Sequence, residues 1–331
     1  MKKILSQLFE YESLSVDQAR ELFLNIANGA YNQAQLASLI TVFLMRNISL
    51  EELDGFRSGL LELAQPLDFG THDYIDIVGT GGDGKDTFNV SSCASVVVAS
   101  AGYKVVKHGN YAASSVSGAS NVMENHGVRF SNDNDLLRRS LDESNLVYLH
   151  APVFNSAMRA VAEVRRNLGI RSFFNMLGPM INPASPRYQL LGVYNLAMQR
   201  LYCYMFQKYG KEFSVVHSLD GYDEISLTSA FRVSSTSGEK IYQPEDLGFE
   251  RCAQSALYGG ATTDEAARIF SSVLDGSSTV AQRDCVVANA GFAINVIEAE
   301  KSIEECLAIA REAISSGRAL QTFKRFVAIN S

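Results

Sequence analysis

Several features of secreted, membrane-bound and metal-stabilised proteins are missing from this 331-residue sequence. Its five cysteines form no Cys-x-x-Cys motif and no closely spaced pair, so we expect free thiols in a reducing cytosol. The five histidines are scattered, which argues against a structural zinc site. No apolar run is long enough to span a bilayer, and the first residues lack a signal-peptide core. These absences predict a cytoplasmic protein without a membrane partner.

An excess of basic charge is also missing. The formal net charge is −7, which argues against a general nucleic-acid binder and against binding to anionic membranes. Apolar residues make up 47% of the chain and charged residues 20%, as in ordinary globular proteins. Any phosphate that the protein binds must therefore be held by local dipoles, by a few cations or by a metal ion.

The first 65 residues carry helix signals and no strand pattern. Three capping boxes predict helix starts at Ser15 with Gln18, Asn32 with Gln35, and Ser49 with Glu52. Pro66 ends the last of these helices. We expect a small all-helical domain over residues 1–70, with apolar faces that pack on each other or on a partner subunit.

From Tyr74 onward the pattern changes to strands that alternate with helices. Apolar, β-branched runs predict strands over residues 74–78, 103–107, 146–149 and 213–217. Such alternation predicts an α/β domain with a mainly parallel central sheet flanked by helices, over residues 71–161 and 185–331. The intervening helical stretch, near 162–184, is expected to return to the helical domain. In parallel sheets ligands bind at the carboxyl ends of the strands.

Three polar loops follow predicted strands. The first holds four glycines in six positions, which let backbone N–H groups approach an anion before a helix begins. The second offers Lys107 and Asn110 with the hydroxyls of Ser114, Ser115 and Ser117. The third carries the adjacent acids Asp223 and Glu224, an oxygen-rich pair that suits Mg²⁺ with substrate phosphates. Taken singly, the glycine loop also suits a plain turn and the acids a solvated turn.

The motifs of these loops resemble those of the anthranilate phosphoribosyltransferase family, in the family's order and over nearly the whole chain. The matching stretches are Val78-Gly-Thr-Gly-Gly-Asp-Gly84 with Thr87-Phe-Asn89 and Ser91-Ser92, Lys107-His-Gly-Asn110 with Ser114-Ser115, Val164-Arg-Arg-Asn-Leu-Gly-Ile-Arg171 with Asn182-Pro183, and Asp220-Gly-Tyr-Asp-Glu224. The Lys-His-Gly-Asn motif also resembles pyrimidine nucleoside phosphorylases, so these remain an alternative, as does a transferase with another aromatic acceptor or a non-enzymatic nucleic-acid-binding relative.

The resemblance implies transfer of phosphoribose from 5-phospho-α-D-ribose 1-diphosphate (PRPP) to the amine of anthranilate, in tryptophan biosynthesis. The residues implied to bind PRPP are Gly79, Gly82, Asp83, Thr87, Asn89, Val90, Ser91, Ser92, Lys107, Gly109, Ser114, Ser115 and Ala119. Those implied to bind anthranilate are Gly79, Asn110 and Arg165, and those implied to hold two Mg²⁺ ions are Ser91, Asp223 and Glu224. His108 is implied in an orienting role, without a general base. The family also implies a homodimer joined through the helical domain.

Five positions depart from the family pattern. Tyr111 stands where the family usually has Arg, which removes one phosphate partner. Ala119 replaces a usual Ser, Asn121 a usual Asp, and Asn155-Ser156 a common His-Pro pair. We expect these departures to bear on the affinity for the acceptor rather than on the diphosphate site.

Overall fold

Helices occupy the chain up to Leu63, and the first strand begins at Ile75. The structure, a computed structural model, describes residues 1–71, 73–112, 116–170 and 172–331. In chain order its helices are α1 (Lys2–Phe9), α2 (Val16–Ala27), α3 (Gln33–Arg46), α4 (Leu50–Leu63), α5 (Val90–Ser100), α6 (Ala119–Asn125), α7 (Asn134–Ser144), α8 (Ala151–Phe154), α9 (Arg159–Leu168), α10 (Phe174–Leu177), α11 (Leu196–Lys208), α12 (Thr263–Asp275), α13 (Val280–Ile297), α14 (Ile303–Ser315) and α15 (Arg318–Asn330). Its strands are β1 (Ile75–Gly79), β2 (Val105–Gly109), β3 (Leu146–His150), β4 (Tyr188–Gly192), β5 (Glu212–Ser218), β6 (Phe231–Ser235) and β7 (Gly238–Tyr242).

The described chain divides into two compact units. The first comprises Met1–Leu67 and Ala151–Pro183, and the second comprises Asp68–His150 and Ala184–Ser331. The first unit is helical and the second contains the sheet, so the predicted fold class, a small N-terminal helical domain and a larger α/β domain, is confirmed. No helix in the described ranges has the length and apolar character needed to cross a membrane.

The helical unit is built around capping boxes and an aromatic core. The boxes predicted at Ser15, Asn32 and Ser49 are present and start α2, α3 and α4. Because each box satisfies two backbone N–H groups that no helical carbonyl can reach, it fixes where the helix begins. The core is made by rings from α2, α3, α4 and the returning segment, namely Phe23, Phe43, Phe56, Phe173 and Phe174.

The described sheet has the strand order β3-β2-β1-β4-β5-β6-β7. Strands β1 to β5 pair in parallel, while β6 and β7 extend the sheet as antiparallel strands. The order reverses between β1 and β4, and such a switch point opens a crevice at the carboxyl ends of the strands. Here these ends are Gly79 on β1, Gly109 on β2, Gly192 on β4 and Ser218 on β5.

The core of the second unit covers the strands from which the polar loops emerge. Helix α5 is buried from Ser92 to Ala99, and α13 packs against it. Since α5 follows the glycine loop directly, its burial holds the helix N-terminus in a fixed place at the edge of the sheet. The loop before it is therefore anchored at both ends, by β1 and by α5.

Candidate phosphate and metal site

The acidic loop and the glycine loop are joined by hydrogen bonds. The backbone N–H of Gly81 donates to Asp223 Oδ2 at 2.6 Å, and the N–H of Ser91 donates to Glu224 Oε1 at 3.3 Å. These hydrogen bonds join loops that are more than one hundred residues apart in the sequence, at the carboxyl edge of the sheet. The first and third predicted loops lie together in the second unit.

Close packing at this edge requires glycine. A Cβ on Gly192, the last residue of β4, would overlap the carbonyl oxygen of Asp223, and a Cβ on Gly79 would overlap its carboxylate. The acidic loop therefore passes directly over the ends of β1 and β4. Behind it, Ser218 Oγ donates to the Glu224 carbonyl at 2.7 Å, and Asn289 Oδ1 accepts from the N–H of Ile225 at 3.1 Å. These bonds hold the backbone of the acidic loop in place.

The two acids lie in an environment that disfavours their charge. Burial, followed by repulsion from Asp83, raises the pKa of Asp223 to about 7. Burial and then the neighbouring Asp223 carboxylate raise the pKa of Glu224 well above its usual range. Carboxylates held close together in this way are stabilised by a bound cation. The predicted Mg²⁺ ligands Asp223 and Glu224 thus lie where a cation would offset the repulsion between their charges.

The residues fit a magnesium ion in chemical type. Asp223, Glu224 and the Ser91 hydroxyl are oxygen donors, and Mg²⁺ is commonly held by one or two carboxylates together with substrate phosphates. Within the described ranges, no three His, Cys, Asp or Glu side chains are grouped as a complete metal site. The donor set accordingly suits an ion whose remaining positions are filled by water and by a phosphorylated substrate.

Lys107 lies beneath the loops rather than at their surface. It is almost wholly buried, and its Nζ donates to the carbonyl of Ile77 and, at 3.3 Å, to Ser91 Oγ. Burial lowers the pKa of Lys107 to about 8, while the charges of Asp76 and Glu224 act in the opposite direction. The ammonium group thus adds positive charge where the α5 N-terminus already favours an anion.

Four buried hydroxyl groups around these loops have no hydrogen-bond partner among the described residues. They belong to Thr80, Thr87, Ser92 and Ser117. A buried hydroxyl that lacks a partner is costly, and a polar ligand bound at these loops would supply one. Thr80 was not among the predicted binding residues, because a threonine within a glycine-rich loop has no sequence pattern that reports the burial of its hydroxyl.

The second loop is tied to the first and to α6. Asn89 Nδ2 donates to the Ser117 carbonyl at 3.2 Å. Asn89 stands at the N-cap of α5, but its side chain makes no capping bond. Asn121 Oδ1 accepts from the N–H groups of Ala112 and Gly118, so it closes the loop at both ends. Ser114 and Ser115 lie outside the described residues.

The remaining predicted residues are placed as follows. His108 is buried on β2, where its backbone N–H donates to Asp76 Oδ1 at 3.3 Å. Gly109 ends β2, and Asn110 follows it with an exposed side chain. Gly82 and Asp83 lie in the glycine loop, Val90 begins α5, and Ala119 begins α6.

Arg165 belongs to the helical unit. It lies in the last turn of α9, donates to Asn175 Oδ1 at 3.4 Å, and lies 5.7 Å from the centre of the Phe174 ring. Burial lowers the pKa of its guanidinium, which still carries a charge at neutral pH. Asn155 is also buried in this unit and donates to the Ile181 carbonyl at 3.5 Å. Arg171 of the same predicted motif lies outside the described residues.

Comparison with known proteins agrees with this geometry. Residues 2–64 match the helical bundle domain of a glycosyl transferase family, and residues 71–320 match its a/b domain. The anthranilate phosphoribosyltransferase of Bacteroides fragilis strain YCH46 is 60% identical over 330 residues, which cover 100% of both chains. That of Cytophaga hutchinsonii is 49% identical over 327 residues, 99% of this chain and 100% of the relative.

Solved structures show the same similarity. The anthranilate phosphoribosyltransferase of Thermus thermophilus has a TM-score of 0.91 and 33% identity, with 98% of each chain covered. The enzyme of Saccharomyces cerevisiae in complex with PRPP and Mg has a TM-score of 0.90 and 26% identity, with 98% of this chain and 96% of that chain covered. The fold and the site thus define a glycosyl transferase with a helical bundle and an α/β domain. Within that class, the chain belongs to the anthranilate phosphoribosyltransferase family.

Proposed function

We propose that this protein transfers phosphoribose from PRPP to the amine of anthranilate, giving N-(5-phosphoribosyl)anthranilate and diphosphate in tryptophan biosynthesis. The observation that carries the proposal is the site at the switch point of the sheet. There a glycine loop, a helix N-terminus and a buried lysine meet two acids whose pKa is raised. A diphosphate that arrives with a divalent cation matches both the positive and the negative parts of this site.

The α/β unit would bind PRPP through the glycine loop and the start of α5. The residues proposed to bind it are Gly79, Gly82, Asp83, Thr87, Asn89, Val90, Ser91, Ser92, Lys107, Gly109, Ser114, Ser115 and Ala119. The unpartnered hydroxyls of Thr87 and Ser92 support the assignment of these two residues. By the same argument, we add Thr80 and Ser117 as donors to the phosphates or to the ribose.

Asp223, Glu224 and Ser91 would hold two Mg²⁺ ions that accompany the substrate. When bound, Mg²⁺ neutralises charge on the diphosphate and so improves it as a leaving group. The bond from ribose C1 to the diphosphate oxygen breaks as the anthranilate nitrogen bonds to C1, and the sugar passes through a cation-like transition state. The nitrogen then releases one of its protons to solvent, which gives the neutral secondary amine. Lys107 and the α5 N-terminus stabilise the charge that collects on the departing oxygens.

The acceptor would be held by Gly79, Asn110 and Arg165. A guanidinium presents two parallel donors to a carboxylate, which suits Arg165 to the carboxylate of anthranilate. The enzyme then needs to position the amine and to exclude water rather than to supply covalent chemistry. His108, buried on β2, is assigned a role in orienting the acceptor, and no side chain is assigned as general base.

We also propose a cytoplasmic homodimer formed through the helical unit. Exposed aromatic and apolar side chains on this unit support the dimer, with Phe9 57%, Tyr11 78% and Met45 80% exposed. Exposed apolar side chains of this kind are candidates for a surface that a partner covers. Light scattering on the full chain would show twice the monomer mass if the proposal holds, and the monomer mass if it does not.

Anthranilate fluorescence tests the proposed reaction. The fluorescence should fall when the full chain is mixed with anthranilate, PRPP and Mg²⁺, and it should stay constant when any one of them is left out. Constant fluorescence with all three present, together with phosphate-dependent cleavage of a pyrimidine nucleoside, would establish the phosphorylase alternative instead.

A further inference from the structure

The ring of Tyr111 lies against two other rings of the α/β unit. Its centre is 4.8 Å from that of His150 at an interplanar angle of 74°, and 6.4 Å from that of Phe130. Phe130 in turn stacks on His150, with centres 4.2 Å apart. Edge-to-face and stacked pairs of this kind add stabilisation beyond the buried area. The aromatic side chain thus has a defined position although 42% of the residue is exposed.

The hydroxyl of Tyr111 fixes the outer end of the side chain. It donates to Glu124 Oε1 at 2.6 Å, a short bond to a charged acceptor on α6. This bond raises the pKa of Tyr111 to about 12, so the phenol keeps its proton throughout the neutral range. The ring of Tyr111 is therefore held by His150 on β3 and by Phe130, and its hydroxyl is held by Glu124 on α6.

These contacts converge on Asn110, the preceding residue. The N–H of Tyr111 donates to Asn110 Oδ1 at 2.8 Å, and the N–H of Ser120 donates to the Asn110 carbonyl at 3.1 Å. Ser120 Oγ lies 2.8 Å from His150 Nδ1, so Ser120 links the backbone of Asn110 to the ring on which Tyr111 packs. With its carboxamide oxygen engaged in this way, Asn110 presents its NH₂ group as a donor to a ligand.

We propose that Tyr111 is a positioning residue that acts through Asn110. Its ring on His150 and its hydroxyl on Glu124 hold the Asn110 carboxamide in the orientation that donates to the carboxylate of the aromatic acceptor. This inference rests on the proposed function, in which Asn110 binds anthranilate. It makes Tyr111 a determinant of acceptor affinity and leaves the binding of PRPP to other residues.

A double-mutant cycle tests whether Tyr111 acts through Asn110. Initial rates of anthranilate consumption are measured for the wild-type chain, Tyr111→Ala, Asn110→Ala and the double variant, with each substrate varied in turn. Misplacement of a binding group should raise the KM for anthranilate about tenfold in Tyr111→Ala. The KM for PRPP should stay within about twofold of wild type. The double variant should be no weaker than Asn110→Ala alone, because the two effects are coupled.

Two further variants distinguish the packing of the Tyr111 ring from the hydrogen bond of its hydroxyl. Tyr111→Phe keeps the ring and removes the bond to Glu124, so an intermediate rise in the KM for anthranilate is expected. Tyr103→Phe is the matched control, since Tyr103 OH also donates to a glutamate, Glu298, at 3.1 Å in the same unit. It should keep wild-type KM values for both substrates.

The outcomes discriminate between the inference and the proposed function. Effects of Tyr111→Ala and Asn110→Ala that multiply in the double variant would overturn the inference, as would an equal rise in the KM for PRPP. A Tyr111→Phe variant with wild-type KM values would overturn the part assigned to Glu124. If the wild-type chain consumed no anthranilate at all, the proposed function itself would fail.

Discussion

Asp223 Oδ2 accepts a 2.6 Å hydrogen bond from the backbone N–H of Gly81. This bond joins the loop after β5 to the loop after β1, so the acidic pair and the glycine loop form one structural unit. The N–H of Ser91 likewise donates to Glu224 Oε1 at 3.3 Å, so a backbone donor orients each carboxylate. Donors fixed in this way are the kind of arrangement that electrostatic stabilisation of a transition state requires.

The first prediction concerns this acidic pair. Replacing Asp223 with Asn and Glu224 with Gln should abolish Mg²⁺-dependent turnover, because the cation loses both carboxylates. The fold should be retained, since neutral side chains of the same shape relieve the burial of charge at this site. Activity is measured by anthranilate fluorescence over a Mg²⁺ titration, and folding by circular dichroism.

A matched variant controls for the loss of two negative charges. Glu300 and Glu304 are exposed near the start of α14, so Glu300→Gln with Glu304→Gln removes the same charge outside the site. It should keep full activity. Turnover that persists unchanged in the Asp223 and Glu224 variant would refute the metal assignment.

The second prediction concerns Arg165. Its guanidinium is proposed to bind the acceptor carboxylate through two donors, and lysine cannot reproduce that fork. Arg165→Lys should therefore raise the KM for anthranilate by about tenfold or more, with the KM for PRPP unchanged. The neighbouring Arg166 is exposed, so Arg166→Lys serves as the control and should behave as wild type. Equal KM values in the two variants would contradict the assignment.

The third prediction concerns the glycine at the end of β4. A methyl group at Gly192 must displace the Asp223 backbone, so Gly192→Ala should lower the free energy of unfolding by about 1–3 kcal/mol and weaken Mg²⁺-dependent activity. Gly178→Ala is the control for stability, because a Cβ there meets no atom within 4 Å. Urea unfolding measures the stability of both variants. A Gly192→Ala protein as stable and active as wild type would show that the loop does not pass over β4.

The fourth prediction concerns pH. Burial lowers the pKa of His150, although Glu124 acts in the opposite direction. In the unfolded chain a histidine has a pKa of about 6.5, so the unfolded state takes up the proton first as the pH falls. The contribution of His150 to stability is therefore present above this value and is lost as the pH drops through it towards the lower pKa of the folded state.

Urea unfolding at about pH 7.5 and pH 5.5 would measure this effect. The wild-type chain should lose more unfolding free energy between the two values than His150→Asn, which does not titrate. Equal losses in the two proteins would refute the assigned direction.

Much of the fold could be predicted because its signals are local. The capping boxes at Ser15, Asn32 and Ser49 marked three helix starts, since each depends only on residues three apart. Strands β4, β6 and β7 were missed. Strand β4 has five residues with the polar Gln189 among them, and β7 is an exposed edge strand that carries Glu239 and Lys240. Short or solvated strands depend on their neighbours in the sheet, which no local pattern reports.

The candidate site was predictable in its residue types but not in its contacts. The sequence indicated that the Gly81 and Asp223 loops share an edge, because both follow parallel strands. It could not show that the two loops bond directly, since that depends on the registers of β1 on β4 and of β4 on β5. The partnerless hydroxyl of Thr80 and the contact of Tyr111 with His150 are likewise consequences of tertiary packing.

The most direct test of the proposed reaction is its stoichiometry. Anthranilate consumed and diphosphate released are measured in the same sample of the full chain with PRPP and Mg²⁺. The proposal predicts that the two amounts are equal at every time point and that both are zero without Mg²⁺. Release of diphosphate without loss of anthranilate, or no release at all, would contradict it.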